Sequence, residues 1–149
     1  MRASLSIRVG LAALMMLAAP ALRAEIVEVG NDELRALLAQ GTPLIDLRTV
    51  GEWRQTGVIE GSQLIMLFDE RGGADPAAWL RNADAVADPS RPVILICRSG
   101  NRSGKAARLM QEKSPSRTIY NVRDGIISWA RAGLPLVSAT DNLKHPGTR

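Results

Sequence analysis

Short apolar runs alternate along this chain with stretches in which apolar residues recur every three or four positions. The first pattern fits strands and the second amphipathic helices. Ile26 to Val29 predicts a short strand, and Asn31 is a candidate cap for a helix whose Leu34, Leu37 and Leu38 share one face and which ends at Gly41. The brief apolar run from Pro43 to Leu47, with Asp46 near its end, predicts the next strand. Thr49 and Glu52 then form a capping-box pair that starts a short helix reaching Gln55. Gln63 to Leu67 predicts a third strand. Asp75-Pro76 places a cap and a first-turn proline before a helix at Ala77 to Asn82, and Asp88-Pro89-Ser90 closes that unit. Pro92 to Cys97 is the strongest strand signal, apolar on both faces as a central strand of a parallel sheet requires. The loop Arg98 to Arg102, a helix from Ser103 to Lys113, a strand at Thr118 to Val122 and a helix at Gly125 to Ala132 follow, with Gly133 and Pro135 as stop signals. This alternation predicts an α/β fold: an open, mostly parallel sheet flanked by helices on both faces. Ser138 to Arg149 is polar and reads as a loose tail, with His145 a solvated bystander.

The ends of the chain change the charge argument. Arg2 and Arg8 precede an apolar run from Val9 to Leu22, with small residues at Ala19-Pro20-Ala21 and again at Ala24, the pattern of a secretory signal. The expected organisation is therefore a signal peptide over 1–24, one domain over 25–137 and a tail over 138–149. The apolar run is shorter than the roughly 20 residues that span a bilayer. A membrane role would require the amino-terminal segment to be retained. Cleavage after Ala24, rather than after Ala21, removes three basic residues (Arg2, Arg8, Arg23) and no acidic one, taking the formal charge from +4 to +1. That small charge, with aromatics at only 3%, argues against a nucleic-acid partner, which needs a basic face and stacking side chains. Export to the bacterial periplasm is the expected location. The single cysteine excludes an intrachain disulfide and a cysteine-based zinc cage, and the single histidine excludes a His-rich metal site. Neither a metal nor a cofactor is expected.

Cys97 stands where the central strand meets the sheet edge at which open α/β proteins gather ligands, immediately before a Gly-containing loop and a helix. In the run Cys97-Arg98-Ser99-Gly100-Asn101-Arg102-Ser103, successive backbone N–H groups and the helix amino end converge on one spot, an arrangement that binds anions. The same field favours a thiolate. Gly100 permits the sharp turn, and Arg98 and Arg102 add charge that attracts an oxyanion. A cysteine that merely ends a buried strand is as a rule an inert small hydrophobe; the loop context points instead to a reactive thiol. Gly100 to Lys105 superficially matches a nucleotide-binding loop. It is one residue too short, however, and Ala106 stands where a magnesium-binding hydroxyl belongs.

The sequence resembles the rhodanese family in its single-domain form, over Ile26 to Val137. Three segments carry the resemblance: Leu44-Ile45-Asp46-Leu47-Arg48 with Glu52-Trp53 and Gly57-Val58-Ile59-Glu60-Gly61; the Cys97 loop; and Asn121-Val122-Arg123-Asp124-Gly125 with Trp129, Gly133, Leu134 and Pro135. The resemblance implies a rhodanese-like fold and sulfane-sulfur transfer, with Cys97 as the persulfide-forming nucleophile and the loop through Arg102 as its cradle. The chain departs from the family where Gly57-Val58-Ile59-Glu60-Gly61-Ser62 replaces Gly-His-Ile-x-Gly-Ala and where Asp124-Gly125 replaces a Gly-Gly pair. A carboxylate at Asp124, if it borders the pocket, would repel an anionic donor.

The expected function is therefore a sulfurtransferase of thiosulfate sulfurtransferase type. A small anionic sulfur donor, thiosulfate or a persulfide, loads Cys97, and a thiol or other thiophilic acceptor unloads it. Arg98, Ser99, Gly100, Asn101, Arg102 and Ser103 are the expected substrate-binding residues, with Arg102 offsetting negative charge. Asp46 and Arg48, at the end of a neighbouring strand, are supporting residues that orient the loop or hold the structure, Arg48 pairing with an acid such as Glu52. Trp53, Trp79 and Trp129 are expected in the core, and Lys105 and Arg108 on a solvated face. Two alternatives stand beside this reading. One is a persulfide carrier that delivers sulfur to a protein partner with little small-molecule turnover. The other is a phosphatase or arsenate reductase, which the four-residue spacing between Cys97 and Arg102 disfavours, because related phosphate-cleaving loops use Cys-x5-Arg.

Overall fold

A computed structural model describes residues 25–140. The signal-like segment 1–24 and His145 in the tail lie outside the described residues. Ten elements run in the order β1 (Ile26–Val29), α1 (Asn31–Ala39), β2 (Leu44–Asp46), α2 (Val50–Thr56), β3 (Gln63–Leu64), α3 (Pro76–Val86), β4 (Val93–Ile96), α4 (Asn101–Lys113), β5 (Ile119–Val122) and α5 (Gly125–Arg131). The strands form one sheet in the order β1-β5-β4-β2-β3, and every pairing is parallel. The strongest strand signal, β4, is the central strand.

The reason lies in its side chains. All four residues of β4 are buried. Val93 and Leu95, followed by Cys97, join Ile45 and Ile119 on the face covered by α3 and α4, where Trp79, Leu80, Ala83, Ala106, Ala107 and Met110 pack. Ile94 and Ile96 join Val29, Leu44 and Val122 on the opposite face, beneath Leu34 of α1 and Ile126 and Trp129 of α5. The period-2 alternation of a strand thus feeds two cores, each completed by the apolar stripe of its helices. The small side chains of Ala106 and Ala107 let α4 lie close to β4, which fixes the axis of the helix whose amino end faces Cys97. Trp53, Trp79 and Trp129 are all buried, as the sequence predicts.

Most elements match their expected bounds to within a residue or two, and four differences are informative. Gly30, not Asn31, caps α1: Gly30 is extended and its N–H donates to the Glu33 carboxylate at 3.1 Å. Asn31 sits inside the helix and donates its side-chain amide to Ser128 O at 3.2 Å, tying α1 to α5. The third strand keeps only Gln63 and Leu64, because β2 offers it just two pairing positions. Helix α3 runs past Asn82 to Val86, placing buried Ala83 against the sheet. Helix α4 starts at Asn101, two residues early, because Gly100 adopts the left-handed φ of +88° that ends the loop and accepts from Gly104 N at 2.9 Å.

Candidate active site at the carboxyl edge of the sheet

The adjacent strands β2 and β4 end at the same edge, releasing Leu47-Arg48 from one and Cys97-Arg98 from the other. Cys97 is 1% exposed. Its Sγ accepts the Gly100 N–H at 3.1 Å and lies 3.3 Å from the Ser103 hydroxyl, so loop and helix α4 close on the sulfur from two sides. Ser103 Oγ also lies 3.1 Å from Gly100 O. A hydroxyl carries one hydrogen, so Ser103 donates to the sulfur or to the carbonyl, but not to both at full strength.

The outer side of the loop is bolted to α5. Ile126 N donates to Cys97 O at 2.9 Å and Ile127 N to Arg98 O at 3.3 Å, so loop carbonyls satisfy amides of the first turn of α5, which lacks a side-chain cap. Glycine is required on both sides of this contact. A Cβ on Gly125, whose φ is +60°, would collide with the carbonyl of Arg98 and the amide of Ser99; one on Gly100 would collide with the Arg123 carbonyl. The second glycine position of the family pattern is thus filled by Gly125. Asp124 points elsewhere: it is exposed, and its carboxylate lies 3.6 Å from Arg123 Nε.

Two of the arginines around the loop are closed into ion pairs. Arg102 donates Nη1 and Nη2 to the two oxygens of Glu52, at 2.8 and 2.6 Å. Glu52 Oε2 also accepts the Thr49 N–H at 2.9 Å, completing the α2 cap. The Arg102 hydrogen bonds are the largest influence on Glu52, and with the Thr49 amide they hold its pKa at about 2 against the opposing effect of burial. Arg48 does not pair with Glu52 as expected. It pairs with Asp46, through Nε to Oδ1 at 3.0 Å and Nη2 to Oδ2 at 2.7 Å, and extends to Thr56 Oγ1 at 2.6 Å and Gly57 O at 2.8 Å. Residues two apart at the end of a strand project to the same side, which makes Asp46 the nearer partner. Both members are buried to 1% exposure, where only a hydrogen-bonded pair is tolerated.

Of the expected substrate-binding residues, Gly100 and Ser103 touch the sulfur. The side chains of Arg98, Ser99 and Asn101 are exposed on the loop and at the start of α4, and Arg102 is turned onto Glu52. Lys105 and Arg108 are exposed on α4. What sequence reasoning missed is the pairing of Glu52 with Arg102. The capping box had assigned Glu52 to the Thr49 amide, but a carboxylate has capacity for further donors, and that spare capacity is what Arg102 uses.

A cleft of about 500 Å³ opens beside the loop between α2, which contributes Glu52 and Gln55, and α5, which contributes Ile126, Ile127 and Ala130, with Arg98 on the loop side. Among the described residues no group of three or more His, Cys, Asp or Glu is placed to hold a metal ion.

Comparison with known proteins identifies the family. Residues 30–132 match the rhodanese-like domain family. A sulfurtransferase of Allochromatium vinosum is 33% identical over 113 residues, 74% of this chain and 94% of the relative. Thiosulfate sulfurtransferase 18 of Arabidopsis thaliana is 26% identical over 116 residues, 75% of this chain and 84% of the relative. Among solved structures, Rv0390 of M. tuberculosis superposes with a TM-score of 0.55 at 28% identity, covering 75% of this chain and 99% of that one. A rhodanese-like domain protein of Staphylococcus aureus gives a TM-score of 0.57 at 22% identity, with 75% and 99% covered, a likeness of fold. By fold and by sequence, the chain belongs to the rhodanese-like domain family, and the two curated relatives above are named sulfurtransferases.

Proposed function

We propose that this protein is a thiosulfate- or persulfide-using sulfurtransferase whose Cys97 carries the sulfur between two half-reactions. The observation that carries the reading is the environment of the one cysteine in the chain: at the carboxyl edge of the central strand, its Sγ receives the Gly100 N–H and faces the Ser103 hydroxyl at the amino end of α4. In the first half-reaction the Cys97 thiolate attacks the outer sulfur of the donor, the donor S–S bond breaks, and sulfite or a thiolate leaves with the electron pair. In the second, an acceptor thiolate or cyanide attacks the outer sulfur of the Cys97 persulfide and regenerates the thiolate. Each step is a displacement at sulfur, so one cysteine suffices.

Loop amides and the end of α4 supply the fixed dipoles that offset negative charge on the sulfur. Arg102 contributes by holding the loop to α2, since both of its terminal nitrogens are committed to Glu52. Steady-state thiosulfate:cyanide sulfur transfer tests the assignment. The parent protein turns over and Cys97→Ser does not; undiminished transfer by the serine variant would overturn it.

The location proposed is the periplasm, after removal of the signal-like segment 1–24. Its support is the Arg2/Arg8, apolar-run, small-residue pattern of the sequence. Amino-terminal sequencing of the exported protein should begin after Ala21 or Ala24, and a start at Met1 would contradict it.

A further inference from the structure

A cradle that favours a doubly charged anion needs cations free to face it. Three arginines surround this one. Arg48 is closed on Asp46 and Arg102 on Glu52, while Arg98 is exposed and has no ion-pair partner among the described residues. Two acids against three arginines leave a single net positive charge. Glu52 decides this count, because it lines the cleft and takes both terminal nitrogens of Arg102. Its carboxyl, held at a pKa of about 2, stays ionised at any working pH.

Resting on the sulfurtransfer reading above, we infer that Glu52 is a specificity-determining residue: by closing on Arg102 it leaves the cradle one free cation and so favours singly charged sulfane donors over dianionic thiosulfate. The apolar wall of Ile126, Ile127 and Ala130 fits the same preference, since a monoanionic donor carries its second substituent as carbon.

Thiosulfate and methanethiosulfonate test the charge at nearly constant shape. Cys97 thiolate attacks the outer sulfur of either, the donor S–S bond breaks as the cysteine S–S bond forms, and sulfite or methanesulfinate leaves with the bonding electrons. Cyanide then removes the transferred sulfur as thiocyanate. The two donors differ in intrinsic reactivity, but that difference cancels when the ratio of their kcat/KM values is compared between parent and variant.

Glu52→Gln retains an oxygen for Thr49 N and for Arg102 while removing the charge. It should raise the thiosulfate to methanethiosulfonate ratio about tenfold, mainly through a lower KM for thiosulfate, the size expected for one charge acting through a largely solvated cleft. Glu52→Asp keeps the charge and shortens the tether. It should lower both donors together and leave the ratio within about twofold of the parent. An unchanged ratio in Glu52→Gln, with Cys97 still loaded by both donors, would overturn the charge assignment alone. Failure of both donors to load sulfur on Cys97 of the parent would overturn the sulfurtransfer reading and this inference with it.

Discussion

Arg102 and Glu52, 50 positions apart in the sequence, meet through two charge-assisted hydrogen bonds of 2.6 and 2.8 Å. Because Glu52 also accepts the Thr49 amide, one carboxylate fastens the start of α2 to the start of α4, and hence to the loop around Cys97.

This pair predicts a pH signature in stability. The Glu52 pKa is depressed from 4.5 to about 2, first by the Arg102 hydrogen bonds. A depressed carboxyl pKa contributes stability that is fully present above the unfolded value and is lost as pH falls through the folded one. The stability gap between the parent and Glu52→Gln should be constant above about pH 5 and narrow between about pH 4.5 and 2. Urea unfolding at a series of pH values measures it, and a gap that persists unchanged at pH 2 would count against the pairing.

Ser103→Ala should slow loading of Cys97 by about tenfold while costing only about 1 kcal/mol of stability. The hydroxyl is fully buried, 3.3 Å from Sγ and 3.1 Å from Gly100 O, and alanine fits its space. Stopped-flow loading with thiosulfate compared with thermal unfolding separates the two effects. Equal loading rates would show that the hydroxyl serves only the Gly100 carbonyl.

Gly125→Ala should damage the site more than any other small substitution on α5. The added Cβ strikes the Arg98 carbonyl, and the φ of +60° is strained for alanine. A strained backbone position costs about 1–3 kcal/mol, and relief requires the loop to leave the amides of Ile126 and Ile127. The expected result is a large loss of turnover together with a lower melting temperature. Asp124→Gly, by contrast, should change neither, since Asp124 is exposed and provides no side-chain cap.

The Asp46–Arg48 pair should prove structural. The hydrogen bonds to Sγ come from Gly100 and Ser103, while Asp46 and Arg48 are buried against each other, so Asp46→Ala leaves an unpaired guanidinium and should destabilise by about 3–5 kcal/mol. Cys97 of the correctly folded fraction, examined at low temperature, should still load and release sulfur. A catalytic collapse without a stability loss would assign Asp46 a different role.

How much of this was legible in the sequence follows from how far each interaction reaches. The β4 strand announces itself because Val93 to Ile96 are apolar on both faces, and the Thr49–Glu52 box and the Asp75-Pro76 cap are complete within four residues. The Cys97 loop is legible for the same reason: nucleophile, turn glycine and helix start are contiguous. The Gly30 cap was hidden because Asn31 is the better cap by side chain, and its amide was instead taken by Ser128, 97 positions away. A separation of 50 positions likewise hid the Arg102 partner of Glu52, whose local role in the capping box concealed it; Arg48 was assigned to the wrong acid for a different reason, since Asp46 is only two residues away and shares its side of the strand end. Local pattern names the elements and the nucleophile. Partner choice among charges depends on which way neighbouring side chains project and on which helix starts the fold brings together.

The central claim is that Cys97 holds sulfane sulfur. Intact mass spectrometry before and after incubation with thiosulfate, followed by peptide mapping, tests it most directly. The account predicts a gain of one sulfur atom, located on Cys97 and removed by cyanide. A protein whose Cys97 peptide stays unmodified after thiosulfate and after a persulfide donor would contradict it.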